Sequence, residues 1–411
     1  MRRIILTFLI LLSITCVSAQ YAVSHTESVR TPMMMLNDDW AAPAVMVLGS
    51  DDVMHFSFDE MSHVYHRYIC RITHCNADGS MSELPEIEYL DGFNDFVIES
   101  WENSHNTTQL YTHYAFSLPN DDVSLKVSGN YRVEVFDYDS EEDGPVVAFD
   151  FSVLEPKVDI RAVVSGDTDR TYNDGEQQLS FVVNHEHCNV VSPANDLIPV
   201  VLQNRRRDNS VVGIKPTYVT GNEVEYVHDD KLIFEAGNEY RRFELTDPNS
   251  PGMNVEDVVY HEGVYHALLY VDKKRVSYSN DIDENGRFYV NTLEGYGMPI
   301  EADYVNVHFA VNLPYRAGGN YYLLGDFCAG GFDKKNILFY DKDEDYYFAS
   351  HLLKLGVYNY QYVWLPDGGQ KATVAYSEGN FYNTGNEYLI YLYHREPGAR
   401  YDRLVGFLVV R

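Results

Sequence analysis

Short runs in which β-branched and aromatic residues recur at every second position dominate the chain. They include Val123-Leu125-Val127, Tyr131-Val133-Val135, Leu179-Phe181-Val183 and Val305-Val307-Phe309-Val311. A period of two sends successive side chains to opposite faces of a strand. Clusters of Gly, Asn, Asp and Pro separate the runs at the spacing of a β-sandwich, and helix-period patterns are scarce. The 34 tyrosines suit the same design, because each ring packs on a sheet while its hydroxyl stays wet. The expectation is an all-β protein of tandem Ig-like or E-set-like β-sandwiches. Long charged segments, the lack of a strictly repeated apolar face and a terminal Arg411 argue against a transmembrane barrel.

Two breaks suggest three sandwiches of ~100–200 residues each. Glu155-Pro156-Lys157 follows the alternating Phe149-Phe151-Val153, and residues Glu294 to Pro299 form a Gly/Pro stretch before Tyr304. The expected domains are 20–155, 156–297 and 298–411. Ahead of them, Arg2 and Arg3, an apolar run from Ile4 to Ile14 and Val17-Ser18-Ala19 have the form of a cleaved signal peptide over 1–19. Cys16 is not expected to be lipidated, since Ser13-Ile14-Thr15 lacks the small residues that such a site wants. No later run approaches the ~18 apolar residues of a membrane-spanning helix. An exported, soluble mature chain is expected.

The formal net charge is −31, and loss of the leader removes two arginines and no acid. So acidic a chain is a poor partner for nucleic acid or anionic lipid. Of the cysteines beyond the leader, Cys70 and Cys75 have opposite parity and would point to opposite faces of one regular strand. A bridge between them would need a bulge, so free, buried thiols are expected at Cys70, Cys75, Cys188 and Cys328.

Candidate chemical motifs each have a plainer explanation. Asp281 to Gly286 opens like a calcium loop, but Thr292 stands where a bidentate Glu belongs, and Asn285-Gly286 fits a tight turn. His261 and His266 miss the HExxH spacing by one residue, and Gly263-Val264 opposes a helix, so His266 is placed on a strand. His185 and His187 would share a strand face without a third ligand. His74-Cys75-Asn76-Ala77-Asp78 holds nucleophile and base types, yet neighbours on a strand point apart, which makes it a structural corner. Arg205-Arg206-Arg207 is expected to be solvated and paired with Asp208, and Asp341 to Asp345 to be a hairpin tip. No catalytic residue, cofactor or metal site is nominated.

Near the C-terminus, Tyr321-Tyr322-Leu323-Leu324-Gly325-Asp326-Phe327, Tyr346-Tyr347-Phe348 and Tyr358-Asn359-Tyr360-Gln361-Tyr362 are similar to starch- and glycogen-binding sandwich modules. Those modules use exposed aromatic platforms. Here Cys328 to Phe332 replaces the tryptophan that usually follows the Gly-Asp-Phe turn.

A wider resemblance rests on many motifs in one order. They include His74 to Asp78, Tyr89-Leu90-Asp91-Gly92-Phe93-Asn94, Asn106-Thr107-Thr108, Tyr111-Thr112-His113-Tyr114 and Ser128-Gly129-Asn130-Tyr131. Further along come Gln203-Asn204-Arg205, Ala236 to Arg241, Glu301-Ala302-Asp303-Tyr304-Val305, Asn386-Glu387-Tyr388 and Tyr401-Asp402-Arg403-Leu404. In these the chain resembles the plug protein family of the type IX secretion system. The resemblance implies a non-enzymatic periplasmic subunit on the inner face of the outer membrane. Such a subunit closes the periplasmic end of a large outer-membrane translocon barrel when no cargo is engaged. On that reading the turns at Asp91-Gly92 and Asn106 to Thr108 present Phe93, Asn94, Tyr111, His113 and Tyr114 to the barrel. The alternative for the same aromatics is a place in the core. Two other functions stay open: an exported carbohydrate-binding protein, and a secreted cargo of the same system with the β-rich end Leu408 to Arg411.

Overall fold

A computed structural model describes residues 21–293, 299–329 and 331–411. The expected signal peptide and the Gly-rich break at 294–298 lie outside the described residues. The chain is all-β, with 47% strand and 5% helix, and its sheets face one another as sandwiches.

In the first sandwich, Tyr21–Ser24, Val147–Leu154, Gly129–Asp137, Tyr68–Cys75 and Phe96–Val97 form one sheet. Val29–Leu36, Met54–Glu60, Thr112–Leu118 and Ser100–Asn103 form the other. The alternation seen in the sequence puts Met54, Phe56 and Phe58 of one sheet against Cys70, Ile72, Val133 and Phe149 of the opposite one. Each such apolar side chain stabilises the fold by about 1.5–3 kcal/mol on burial. The Phe56 ring stacks on Phe116 with centroids 4.8 Å apart. Cys70 and Cys75 share one regular strand, and all four described cysteines are free and buried.

The other two sandwiches are not filled in chain order. In the second, Asp159–Ser165, Glu176–Asn184, Glu223–Tyr226 and Tyr218–Thr220 face a sheet of Val211–Val212, Leu197–Gln203, Tyr388–His394 and Arg403–Val410. In the third, Gly356–Pro366 pairs with Arg241–Leu245, Phe288–Val290 and Gly319–Leu324. That sheet faces Val255–His261, Val264–Leu269, Tyr304–Asn312, Tyr346–Lys354 and Phe339–Asp341. The expected division at 297/298 is therefore corrected. The last two strands close the second sandwich, and strands from 241 to 290 build much of the third. Composition at a break does not decide sheet membership, which is set by pairing between segments far apart in sequence.

One sheet is covered on both faces. All seven residues of Tyr388–His394 are buried. Tyr388, Ile390 and Leu392 pack on Leu179 and Phe181 of the second sandwich, while Leu389, Tyr391 and Tyr393 pack towards Val45 and Ala77 of the first. Such a strand has no polar face, which explains its unbroken apolar wording. Leu389→Ala is expected to lower stability by about 2–5 kcal/mol. Hydrogen exchange should show faster exchange at Val45 and Ala77 as well as in the strand itself.

Candidate functional site: the polar junctions and the Phe93 loop

Asp59 lies at the end of an inward-facing strand where the first sandwich meets the third. Its carboxylate accepts from His113 Nδ1 at 2.7 Å, from the Tyr304 hydroxyl at 2.6 Å and from Lys354 Nζ at 2.6 Å. The side chains of Asp59 and Lys354 are only 1% and 2% exposed, so this ion pair is desolvated. Lys354 Nζ also lies 4.2 Å from the Tyr111 ring centroid, a cation–π contact that replaces part of its lost hydration. Burial alone would raise the Asp59 carboxyl. The Lys354 ammonium and the His113 ring outweigh it and hold the group below the usual carboxylate range.

The turn Asn106-Thr107-Thr108 completes this junction. Thr108 donates to Asp303 Oδ2 from its backbone N at 2.8 Å and from its hydroxyl at 2.7 Å, and Gln109 N donates to Asp303 Oδ1 at 3.1 Å. The Tyr111 hydroxyl donates to the carbonyls of Pro299 and Ala302, each at 2.9 Å. Two motifs separated by almost two hundred residues thus interlock.

A second junction joins the first sandwich to the C-terminal sheet. Asp402 Oδ2 accepts from Ala77 N at 3.0 Å, and Asn130 Oδ1 accepts from Ser152 and Tyr393 hydroxyls at 2.8 Å. The His74 ring sits edge-on to Tyr401, with centroids 5.4 Å apart. Gly129 is required there: at φ +138° a Cβ would stand 2.4 Å from His74 Nε2. Burial depresses His74 to about 4 and leaves the ring neutral.

The third junction centres on Glu387, whose side chain is fully buried. It accepts from Arg205 at 3.1 Å, Arg287 at 2.8 Å and Arg411 at 2.8 Å. Arg205 extends the chain of charges to Asp326 at 2.9 Å. Burial would raise the Glu387 carboxyl, but Arg287 and Arg205 reverse the sign and lower it. Beside it, Asn386 donates to Gln177 and to the Ala236 carbonyl, and accepts from Asn204. The Arg205-Arg206-Arg207 island is therefore not solvated. Arg206 pairs with Asp208 at 2.7 Å but is buried, and Arg207 reaches Asp150 at 3.2 Å across the boundary with the first sandwich.

The five residues expected to meet a partner fall into different places. Tyr111 and Tyr114 are fully buried and cannot offer their rings to another protein. Tyr114 occupies an inward position in Thr112–Leu118 and stacks on Phe58. His113 is spent on Asp59. Asn94 acts as a substitute strand partner: Oδ1 accepts from Ile72 N at 2.7 Å and Nδ2 donates to Ile72 O at 2.9 Å. Phe93 is 81% exposed. It is held between that clamp and Gly92, where at φ +111° a Cβ would stand 1.9 Å from Asp122 O. Ile87, also exposed, lies on a short helix that Asn94 ties through Glu86 at 3.0 Å, and exposed Met81 bridges to Cys75 of the same sandwich. Asp303, Lys354 and Glu387 were not singled out as site residues from sequence. The one local signal was a charge inside apolar wording, as in Leu352-Leu353-Lys354-Leu355.

None of the other motifs forms a reactive site. Asn285 and Gly286 both have positive φ, as a tight turn requires. His261 and His266 flank a turn between two strands. His185 is buried and His187 exposed, because the chain turns after Asn184 and the two do not share a strand face. Asp341 and Tyr346 close a hairpin. In the motifs similar to glycan-binding modules, Tyr321, Tyr322, Tyr347, Tyr358, Tyr360 and Tyr362 are core residues, and Phe348 is exposed. Among the described residues, no cluster of three or more His, Cys, Asp or Glu could hold a metal ion.

Residues 29–155 match the family described as Type 9 secretion system plug protein 1st domain. A crystal structure of a hypothetical protein from Parabacteroides merdae is 37% identical and superposes with a TM-score of 0.93. That match covers 95% of this chain and 99% of the other. No curated protein matches.

Lys354→Met should destabilise the protein by about 3–5 kcal/mol, because it strands the Asp59 charge. The double variant Asp59→Leu/Lys354→Met should recover most of that loss in chemical denaturation. Glu387→Gln should be destabilising at neutral pH. Glu387 and Asp59 have folded pKa values below their unfolded values of about 4.3 and 3.9. Their stabilisation is present above those values and is lost as pH falls through the folded ones. The gap in melting temperature between wild type and Glu387→Gln is expected to narrow as pH falls below about 4.

Proposed function

We propose, for a chain that belongs to the type IX secretion system plug family, that it is a non-enzymatic stopper. It would bind the outer-membrane translocon barrel from the periplasm and close the opening while no cargo is engaged. The observation that carries this reading is the set of buried polar junctions at Asp59, Asp402 and Glu387. A body that seals a wide pore must resist bending under load, and interlocked sandwiches meet that need. The Asp59 carboxylate is occupied by His113, Tyr304 and Lys354 and the Glu387 carboxylate by Arg205, Arg287 and Arg411, all donors of the chain itself. The net charge of −31 favours a basic rim on the partner.

The surface best suited to first contact is the Phe93 loop. Large exposed apolar residues on a fixed backbone bind with little entropic cost, and Phe93, Ile87 and Met81 are 81%, 77% and 73% exposed. Purification of the tagged chain from native outer membranes in mild detergent should recover a very large barrel. Phe93→Ser should leave the melting temperature unchanged and reduce that recovery several-fold, in the range of an interface hot spot of about 1–2 kcal/mol. Recovery of free monomer alone from the wild type would refute the proposal.

A further inference from the structure

The strand Val255–His261 is the outermost of its sheet and, among the described residues, pairs with Val264–Leu269 on one side only. Open strand edges are usually guarded by lysine, proline or short length. Residues 257–261, Asp-Val-Val-Tyr-His, contain neither lysine nor proline. They leave Val259 44% and Tyr260 57% exposed. Val258 packs against the core of the third sandwich. Tyr260 points to the same face of the strand and ends that core at an open edge, with its ring centroid 4.9 Å from that of Tyr265.

The turn fixes which backbone groups are open. Glu262 and Gly263 have φ +49° and +88°, a two-residue hairpin loop that closes on the pair His261–Val264. Ladder hydrogen bonds to the neighbouring strand then fall at His261 and Val259, and the amides and carbonyls of Val258 and Tyr260 face outward. Val258 N donates to Asp257 Oδ1 at 2.9 Å instead of to a strand partner. A second copy laid antiparallel, Val259 on Val259, sets Val258 opposite Tyr260 and Asp257 opposite His261, each pair occurring twice. Open backbone groups then meet open ones, a β-branched residue meets an aromatic one, and a carboxylate meets an imidazole. A shift of one residue would set open groups against groups already bonded. A pairing of Val258 on Val258 would set Asp257 opposite Val259 and Glu256 opposite Tyr260, with no opposite charges in register.

We propose that residues 257–261 form a contact surface for a second copy of this chain, a twofold antiparallel pairing that continues the sheet of one third sandwich into the other. Tyr260 of each copy covers Val258 of the other. So short a ladder is a small interface, and the net charge of −31 on each copy adds repulsion. The association is therefore weak, in the micromolar range.

Analytical ultracentrifugation of the purified chain over about 5–500 μM, in about 0.15 M salt, should show a monomer–dimer equilibrium. Val259→Lys, on the twofold axis, should weaken it by about tenfold or more with the melting temperature unchanged. His261→Asp and Asp257→Lys should each be monomeric alone. An equimolar mixture of those two variants should recover the dimer, because each copy then meets opposite charge on the other. The proposal fails if the wild type is monomeric throughout that range, or if Val259→Lys dimerises as the wild type does. It fails equally if the mixture of the two charge variants associates no more than each does alone.

Discussion

The arrangement of the three sandwiches depends on charges removed from water at their boundaries, with the Asp59–Lys354 pair as the clearest case. Bringing an ammonium and a carboxylate into a dry interface costs several kcal/mol per ion unless every lone pair and proton finds a partner. Here the partners come from both sides. His113 belongs to the first sandwich; Tyr304 and Lys354 belong to the third. The cost is offset when the sandwiches dock in one orientation. In other orientations a bare charge is left in an apolar surface. The pair therefore acts less as a source of stability than as a selector of geometry, and Glu387 with its arginines does the same between the second and third sandwiches.

Apolar burial supplies the adhesion that these selectors direct. The sheet containing Leu197–Gln203 and Tyr388–His394 is covered on one face by the second sandwich's own core and on the other by the first sandwich. Because the last strands of the chain complete that sheet, the segment that builds the third sandwich is a long insertion between strands of the second. The second and third sandwiches are thus tied by two chain crossings as well as by the Glu387 ion pairs. Lasting separation of the second from the first would expose a full sheet face and break the Asn130–Tyr393 and Ala77–Asp402 hydrogen bonds. A body built this way gains stiffness from its topology as well as from its contacts.

Much of the fold was legible because period-two burial leaves a direct trace in sequence. Tyr131-Val133-Val135 and Val305-Val307-Phe309-Val311 lie in strands with those residues inward. The allocation of strands to sandwiches was not legible, since nothing local announces that residues near 200 pair with residues near 390. The motifs were visible as wording, but not as junctions. Asp59 and Lys354 are 295 positions apart, and each is an ordinary surface residue by type. Tyr111 and Tyr114 illustrate a second limit. Aromatic residues suit cores and interfaces alike, and only the alternation in Thr112–Leu118 favoured the core for Tyr114. Phe93 and Asn94 are neighbours in one motif, yet one faces solvent and the other replaces a strand partner.

Buried polar junctions hold the three sandwiches as a single rigid body. Pulsed electron spin resonance between labels at exposed Asp139 and Asp367, on the first and third sandwiches, measures this directly. A narrow, single-peaked distance distribution is predicted for the wild-type background, broadening when Lys354 is replaced by Met. A broad or two-peaked distribution in the wild-type background would mean that the sandwiches move independently.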